Sequence, residues 1–509
     1  MAQIHRRLAA ALVAAAGLAT AAPAQPGSNA SCAALADLKL DAARITAAEH
    51  VVPGWKIPPS LFNSFAGAAT EARTSFCRVT LTIETEIKVE VWLPDIWNGR
   101  FEGVGNGGFT GALNYPEMSR AVTAGFATAS TDTGHVTPKG FFDTDWIAGH
   151  PERVENFAYR GHHLMAVTAK KIVAAYYGTP ARKAYFTGCS SGGWQGLSEA
   201  QRYPQDYDGI VAGAPANNFV RLQSRAFVEA YWSRRDPKGD IPNAKLTLLA
   251  KAMVAQCVAE QSVKDDFITD PRLCKFDYRA VQCKAGDKPD CLTKAQIARA
   301  KKLYDPKPAE GGVKLYPGMP LGAFAIGPIE YPHDHDPFDT VMMIQVLKEK
   351  PSWRTATFDP GRDIPPLEAE LGAMLDATNP DLAAFKARGG KLVLYHGWAD
   401  NVLSPYNTLD YFHAVAQKTP GADDFVRLFM IPSMGHCGGG DGPNSFDSTS
   451  AIVDWVEYDH APETLIGFHV AQEGTIGMTR LLCAEPKVAF YKGSGSPDDA
   501  ANFICKKPK

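Results

Sequence analysis

Short apolar runs separated by polar, glycine-rich and proline-rich connections set the texture of this chain. Runs at residues 89–93, 100–102, 124–130, 184–187, 209–212, 391–395 and 425–431 are short and bounded by turn residues, so they read as strands. Residues 194–203, directly after one of these runs, read as a helix, and strands followed by helices predict an α/β architecture around a mostly parallel sheet. Between residues 217 and 379 the alternation breaks down into four cysteines, lysine-rich helical stretches such as 292–303, and many prolines. We read 217–379 as a lid domain inserted into a catalytic domain made of 25–216 and 380–509. An insertion at the carboxyl ends of strands would wall the pocket and select the substrate.

Composition narrows the class. With 509 residues, 45% of them hydrophobic, and a formal net charge of −3, the chain is large enough for one big core and a smaller one. That balance predicts neither a nucleic-acid partner nor a membrane surface. His5-Arg6-Arg7, the apolar run 8–22 and Ala22-Pro23-Ala24 predict a signal peptide over residues 1–24, hence a secreted or periplasmic protein. The apolar run is short for a membrane anchor. Asn29-Ala30-Ser31 matches a glycosylation acceptor, although nothing in the chain implies a glycosylating host.

Ten cysteines gain meaning in an oxidising compartment, because an even number permits complete pairing. Neighbourhood along the chain pairs Cys32 with Cys77, Cys257 with Cys274, Cys283 with Cys291, and Cys483 with Cys505. Cys189 and Cys437 are left over, and each adjoins a residue of chemical interest. Cys189 precedes Ser190 in Gly188-Cys189-Ser190-Ser191-Gly192, a G-x-S-x-G pentad lying between a predicted strand and a predicted helix. Cys437 follows His436. A disulfide brings its two Cα atoms within about 4.4–6.8 Å, so a Cys189–Cys437 bridge would hold Ser190 and His436 close together.

A serine and a histidine need a carboxylate to set the imidazole tautomer. Asp400 fits, on the loop after the strand 391–395, which makes the chain order Ser190, Asp400, His436 that of α/β hydrolases. His396, on the same loop, competes as a base and is read as a loop-packing histidine. An oxyanion hole needs two N–H donors. One is Ser191, after the nucleophile, and the other belongs to the glycine-rich loop 103–109. Gly103, Gly105 and Gly108 also match G-x-G-x-x-G, but Pro116 interrupts the next segment and no helix of the needed length is predicted there, so dinucleotide binding is rejected.

With the G-C-S-S-G-G box at 188–193, Y-H-G-W-A-D at 395–400 and H-C-G-G-G at 436–440, the chain resembles the tannase and feruloyl esterase family. W-N-G-R-F at 97–101, Y-D-G-I-V-A-G-A-P at 207–215, Y-K-G-S-G at 491–495, and Ala500, Asn502, Phe503 and Cys505 extend the resemblance over nearly all of the mature chain. It implies an α/β-hydrolase core with a large inserted lid, Ser190 as nucleophile, Asp400 as acid and His436 as base. It further implies Gly108 and Ser191 as oxyanion donors, a Cys189–Cys437 link between the triad loops, and a small aromatic ester as substrate. The family includes hydrolases of terephthalate half-esters, which use a lid arginine; Arg354 and Arg362 are candidates by position. A catalytically silent binder of phenols or carbohydrates is the rival from another class.

The family's calcium loop departs from its pattern here. Between Cys257 and Cys274, Val258 and Gln261 stand where aspartates would be, leaving Asp265 beside Lys264. The loop 257–271 is therefore expected to hold no tight Ca²⁺, and neither a metal nor another cofactor is expected. His333-Asp334-His335-Asp336, flanked by Pro332 and Pro337, reads as a solvated loop rather than a metal site. Oligomeric state is left open.

Overall fold

The computed structural model describes residues 31–64, 69–84, 86–147, 149–261, 263, 265–326, 357–471 and 474–508. The predicted signal, the Asn29 acceptor, Arg354 and the 333–336 run lie outside the described residues.

Nine strands make one sheet: β1 (Ala43–Val51), β2 (Phe76–Ile83), β3 (Ile87–Pro94), β4 (Arg100–Val104), β5 (Ala127–Thr131), β6 (Lys183–Cys189), β7 (Gly209–Gly213), β8 (Lys391–Gly397) and β9 (Val426–Ile431). Their spatial order is β1-β2-β3-β5-β4-β6-β7-β8-β9. From β5 to β9 all neighbours are parallel. β1, β2, β3 and β5 pair antiparallel, and of these β1 and β2 extend the sheet beyond the strands read from sequence. β1 escaped notice because it is an edge strand, mostly exposed, whose small and polar residues give little apolar alternation to detect.

Side chains of the central strands alternate between two apolar cores, as the pleat requires. Phe186, Ile210, Leu392 and Leu394 enter one cluster, and Tyr185, Val211 and Val393 enter the other. Each such large side chain taken out of water contributes about 1.5–3 kcal/mol. Helices α1 (Tyr115–Thr123), α2 (Gly161–Tyr177) and α3 (Ser191–Arg202) connect the strands in this half. Pro116 does not interrupt a segment, as its position in the sequence suggested. It stands in the first turn of α1, where proline's missing N–H costs nothing, and Asn114 caps the same turn. The glycines of the 103–108 loop end well before that helix, so they do not open it.

The chain leaves the sheet after β7 and rejoins it at β8. Between them run α4 (Phe219–Arg235), α5 (Asn243–Glu260), α6 (Lys294–Leu303) and α7 (Pro360–Leu375). Leu249, Met253, Val281, Leu292, Ile297 and Ala300 build a small core of their own, whereas Phe219, Phe227, Ile364 and Leu367 of α4 and α7 join the main core. Thr293 and Gln296 close a reciprocal capping box at the start of α6. After β8 come α8 (Pro405–Lys418), β9 and α9 (Ser448–Tyr458). Two antiparallel hairpins finish the chain, β10 (Thr464–Val470) with β11 (Ile476–Cys483) and β12 (Val488–Tyr491) with β13 (Phe503–Lys506). Five disulfides join Cys32–Cys77, Cys189–Cys437, Cys257–Cys274, Cys283–Cys291 and Cys483–Cys505. No helix among the described residues is long and apolar enough to cross a membrane.

Candidate active site

Ser190 occupies the single position between the end of β6 and the start of α3, with φ 63° and ψ −123°. A non-glycine residue there is strained, and the strain holds the side chain out at the tip of a sharp turn. The turn closes only because its neighbours are small. A Cβ on Gly188 would lie 2.5 Å from the Gly192 carbonyl, and one on Gly192 would lie 2.8 Å from Asn106 O. The Ser190 N–H donates to Gly213 O at 3.0 Å, anchoring the turn to β7.

Asp400 and His436 arrive from the other half of the sheet. The ends of β8 and β9 cross closely, Trp398 N donating to Ile431 O at 2.8 Å and Ala399 N to Met434 O at 2.9 Å. This sets His436 Nδ1 2.7 Å from Asp400 Oδ2. The Cys189–Cys437 disulfide, spanning 248 positions of sequence, holds its Cα atoms 5.9 Å apart and ties the serine turn to the histidine loop.

Asp400 is wholly buried and surrounded by donors. Its Oδ1 accepts from the N–H groups of Val402 and Leu403, both at 2.8 Å. Its Oδ2 faces His436 and also His396 Nε2, 3.0 Å away. His396 is therefore not merely a packing residue. Because its Nε2 also faces Leu403 O at 3.2 Å, that nitrogen carries the proton, while Nδ1 accepts from the Thr408 hydroxyl at 2.7 Å. Burial pushes the Asp400 carboxyl up, but electrostatic attraction from the His436 ring and the hydrogen bonds from both histidines outweigh it and hold the group well below the usual carboxylate range. With His436 Nδ1 donating to this carboxylate, its Nε2 is left with a free lone pair. The inserted segment braces the same loop: Arg225 of α4 donates to Val402 O at 3.0 Å, and Ser404 donates to Gly318 O at 2.6 Å.

On the other side, Gly108 has φ +57°, and a Cβ there would sit 2.5 Å from Phe141 O. The Ser191 hydroxyl donates to Gly108 O at 2.7 Å, joining the two residues. The Ser191 N–H stands in the first turn of α3, where no intrahelical acceptor exists. Asn106 N donates to Gln195 Oε1 of α3 at 2.9 Å, and Asn106 Oδ1 accepts from buried His162 at 2.7 Å. Sequence reasoning missed Asn106, Gln195 and His162 because they contribute by contact across the fold; His396 left one trace, its four-residue spacing from Asp400.

In the 257–274 loop, Asp265 presents both oxygens to Arg480 Nη1 and Nη2, at 3.0 and 2.9 Å. Arg480 is completely buried and lies over the Phe503 ring, 4.2 Å from its centroid. The Gln261 amide bridges Phe267 O and Thr269 N, and Asp270 is engaged by Arg272. Arg362, at the start of α7, is paired with Asp363.

A family model described as tannase and feruloyl esterase matches residues 72–334 and 361–506. A protein from Aspergillus terreus, described as a probable feruloyl esterase B-2, is 33% identical over 94% of this chain and 96% of its own. Among solved structures, feruloyl esterase B from Aspergillus oryzae superposes with a TM-score of 0.81 at 29% identity, covering 93% of this chain and 99% of its own. An esterase from the same organism gives a TM-score of 0.83 at 28% identity, with the same coverage. A match across both halves of the sheet and most of the insertion places the chain in the tannase and feruloyl esterase family, a family of carboxylic ester hydrolases with the α/β-hydrolase fold.

Proposed function

We propose that this protein is a secreted or periplasmic serine esterase that hydrolyses esters of aromatic carboxylic acids, feruloyl-type or galloyl, through an acyl-enzyme. The observation that carries the reading is the 2.7 Å contact between His436 and Asp400, on a loop tied by disulfide to the residue preceding Ser190. Ser190 Oγ attacks the ester carbonyl while His436 Nε2 takes its proton, and Asp400 stabilises the imidazolium that forms. The oxyanion is held by the N–H groups of Gly108 and Ser191. Protonated His436 then gives its proton to the departing alcohol, and the same nitrogen activates the water that frees the aromatic acid. The names of the relatives support the acyl group, and the five disulfides support an oxidising compartment.

No cofactor enters this chemistry, and the 257–274 loop does not fit a calcium ion. Its remaining acidic ligand, Asp265, is already saturated by a guanidinium, where Ca²⁺ would need six or more oxygens. The terephthalate half-ester reading gains nothing from Arg362, which is committed to Asp363.

The test is release of free acid from methyl ferulate, methyl gallate, mono(hydroxyethyl) terephthalate and p-nitrophenyl acetate, by wild type beside Ser190→Ala. Cleavage of ferulate or gallate far faster than acetate, lost in Ser190→Ala, supports the proposal. Equal cleavage by the variant, or none of any aromatic ester, overturns it.

A further inference from the structure

A second cluster of chemically capable side chains lies at the far end of the helix that begins at Ser191. His163 stands in the first turn of α2, Glu199 in the last turn of α3, and Asp206 just beyond α3. Glu199 is about 12 Å along the helix axis from Ser191, so the cluster is separate from the ester-cleaving residues. One ligand atom from each of the three lies within 4.8 Å of the others.

The donors are held in place by the fold. His163 Nδ1 is 2.6 Å from Asp206 Oδ2, and its ring lies flat on Tyr203 with centroids 3.8 Å apart. Glu199 is 2% and Asp206 6% exposed, whereas the His163 side chain is 29% exposed, so the cluster reaches solvent along the imidazole edge. Glu199 Oε2 has no hydrogen-bond partner among the described residues. A carboxylate oxygen so deeply buried and without a donor is rare unless something outside the protein completes it. Burial and the neighbouring Asp206 push the Glu199 carboxyl well above its usual range.

We propose that His163, Glu199 and Asp206 bind a divalent cation of the Zn²⁺ class. One imidazole nitrogen and two carboxylates form a compact donor set suited to tetrahedral zinc with its fourth position open to solvent, whereas Ca²⁺ and Mg²⁺ favour more numerous, all-oxygen ligands. The ion would complete Glu199 Oε2, which no donor among the described residues meets, with Asp206 and His163 as its other ligands. Lys170 offsets part of the acidic charge, but its Nζ donates to the main-chain carbonyl of Asp206 and leaves the carboxylate oxygens to the cation. A bound ion would clamp α2 to α3 and stiffen the helix whose first turn carries the serine turn.

The experiment uses the full, tag-free protein stripped with chelator and titrated with Zn²⁺, metal content being read after dialysis. Wild type is expected to retain one equivalent, with a raised Tm. Glu199→Gln and His163→Gln, both folded by circular dichroism, are expected to bind at least about tenfold more weakly. Glu199→Gln keeps the shape of the side chain and removes its charge; should that variant not fold, His163→Gln carries the test. Zinc retention by the folded variants equal to that of wild type, or none by wild type, overturns the proposal.

Discussion

Asp400 shows how much one carboxylate can organise. Four donors converge on it, two from the backbone and two from imidazoles, and they keep it ionised although it is wholly buried. Because its pKa is depressed on folding, its contribution to stability is present above the unfolded value of about 3.9 and is lost only as pH falls below it. Asp400→Asn is expected to lower kcat by about 10⁴, through loss of the tautomer and of imidazolium support, with the fold retained by circular dichroism. His396→Leu removes one donor without touching substrate. It should lower kcat about 10- to 100-fold with KM nearly unchanged, and a change confined to KM would rule out its positioning role.

At the scale of elements, the glycine-rich loop after β4 rests on buried histidines. His135 Nε2 donates to Phe109 O at 2.9 Å, and His162 supports Asn106. Burial pushes His135 down to about 4 and His162 to about 3. A histidine whose folded pKa is depressed stabilises fully above its unfolded value, near 6.5, and loses that contribution as pH falls toward the folded value. For His135 the loss amounts to roughly 3 kcal/mol by pH 4. Asp132, pushed up to about 7 by burial, has the opposite sign and loses stability as pH rises from about 4. The check is therefore the difference between wild type and His135→Gln in urea-unfolding free energy, which should narrow on going from pH 7 to pH 4.5. The other elemental tie is Cys189–Cys437. In the chain-entropy limit it is worth roughly 5 kcal/mol. Cys189→Ala with Cys437→Ala, assayed cold where circular dichroism shows a folded protein, should lose at least about tenfold in kcat through misplacement of the serine turn relative to His436. Unchanged kcat in that variant would refute the role.

Across the whole molecule, Arg480 connects the C-terminal hairpin β11 to the insertion through Asp265, with both side chains buried. Arg272 extends the connection, pairing with Asp270 and Glu485 and lying over Trp398 beside the Asp400 loop. Removing one member of a buried ion pair strands the other, so Arg480→Met should destabilise by roughly 3–5 kcal/mol in denaturant titration. Added Ca²⁺ should leave the Tm of the chelator-stripped wild type unchanged, since the guanidinium supplies the positive charge that this loop needs. A Tm that rises with micromolar Ca²⁺ would overturn that expectation.

The parallel half of the sheet was legible because short apolar runs and turn residues are local signals, and so was the Gly188–Gly192 turn, whose small residues are a steric requirement of its own backbone. Even the neighbourhood of Ser190 and His436 could be argued from cysteine arithmetic alone. The edge strand β1 and the C-terminal hairpins were not legible, because their exposed, mixed-polarity sequences carry no period strong enough to read, whereas β2, whose buried Val79, Leu81 and Ile83 alternate with polar residues, carried a period-2 signal that was passed over. What only the tertiary structure decided were contacts that no local pattern shows: the donation of His396 to Asp400, of Asn106 N to Gln195 and of Arg480 to Asp265, and the meeting of His163, Glu199 and Asp206. Sequence determines which side chains are available and how each segment folds locally; which of them come within hydrogen-bond reach depends on how strands and helices pack, and that packing is a property of the whole chain.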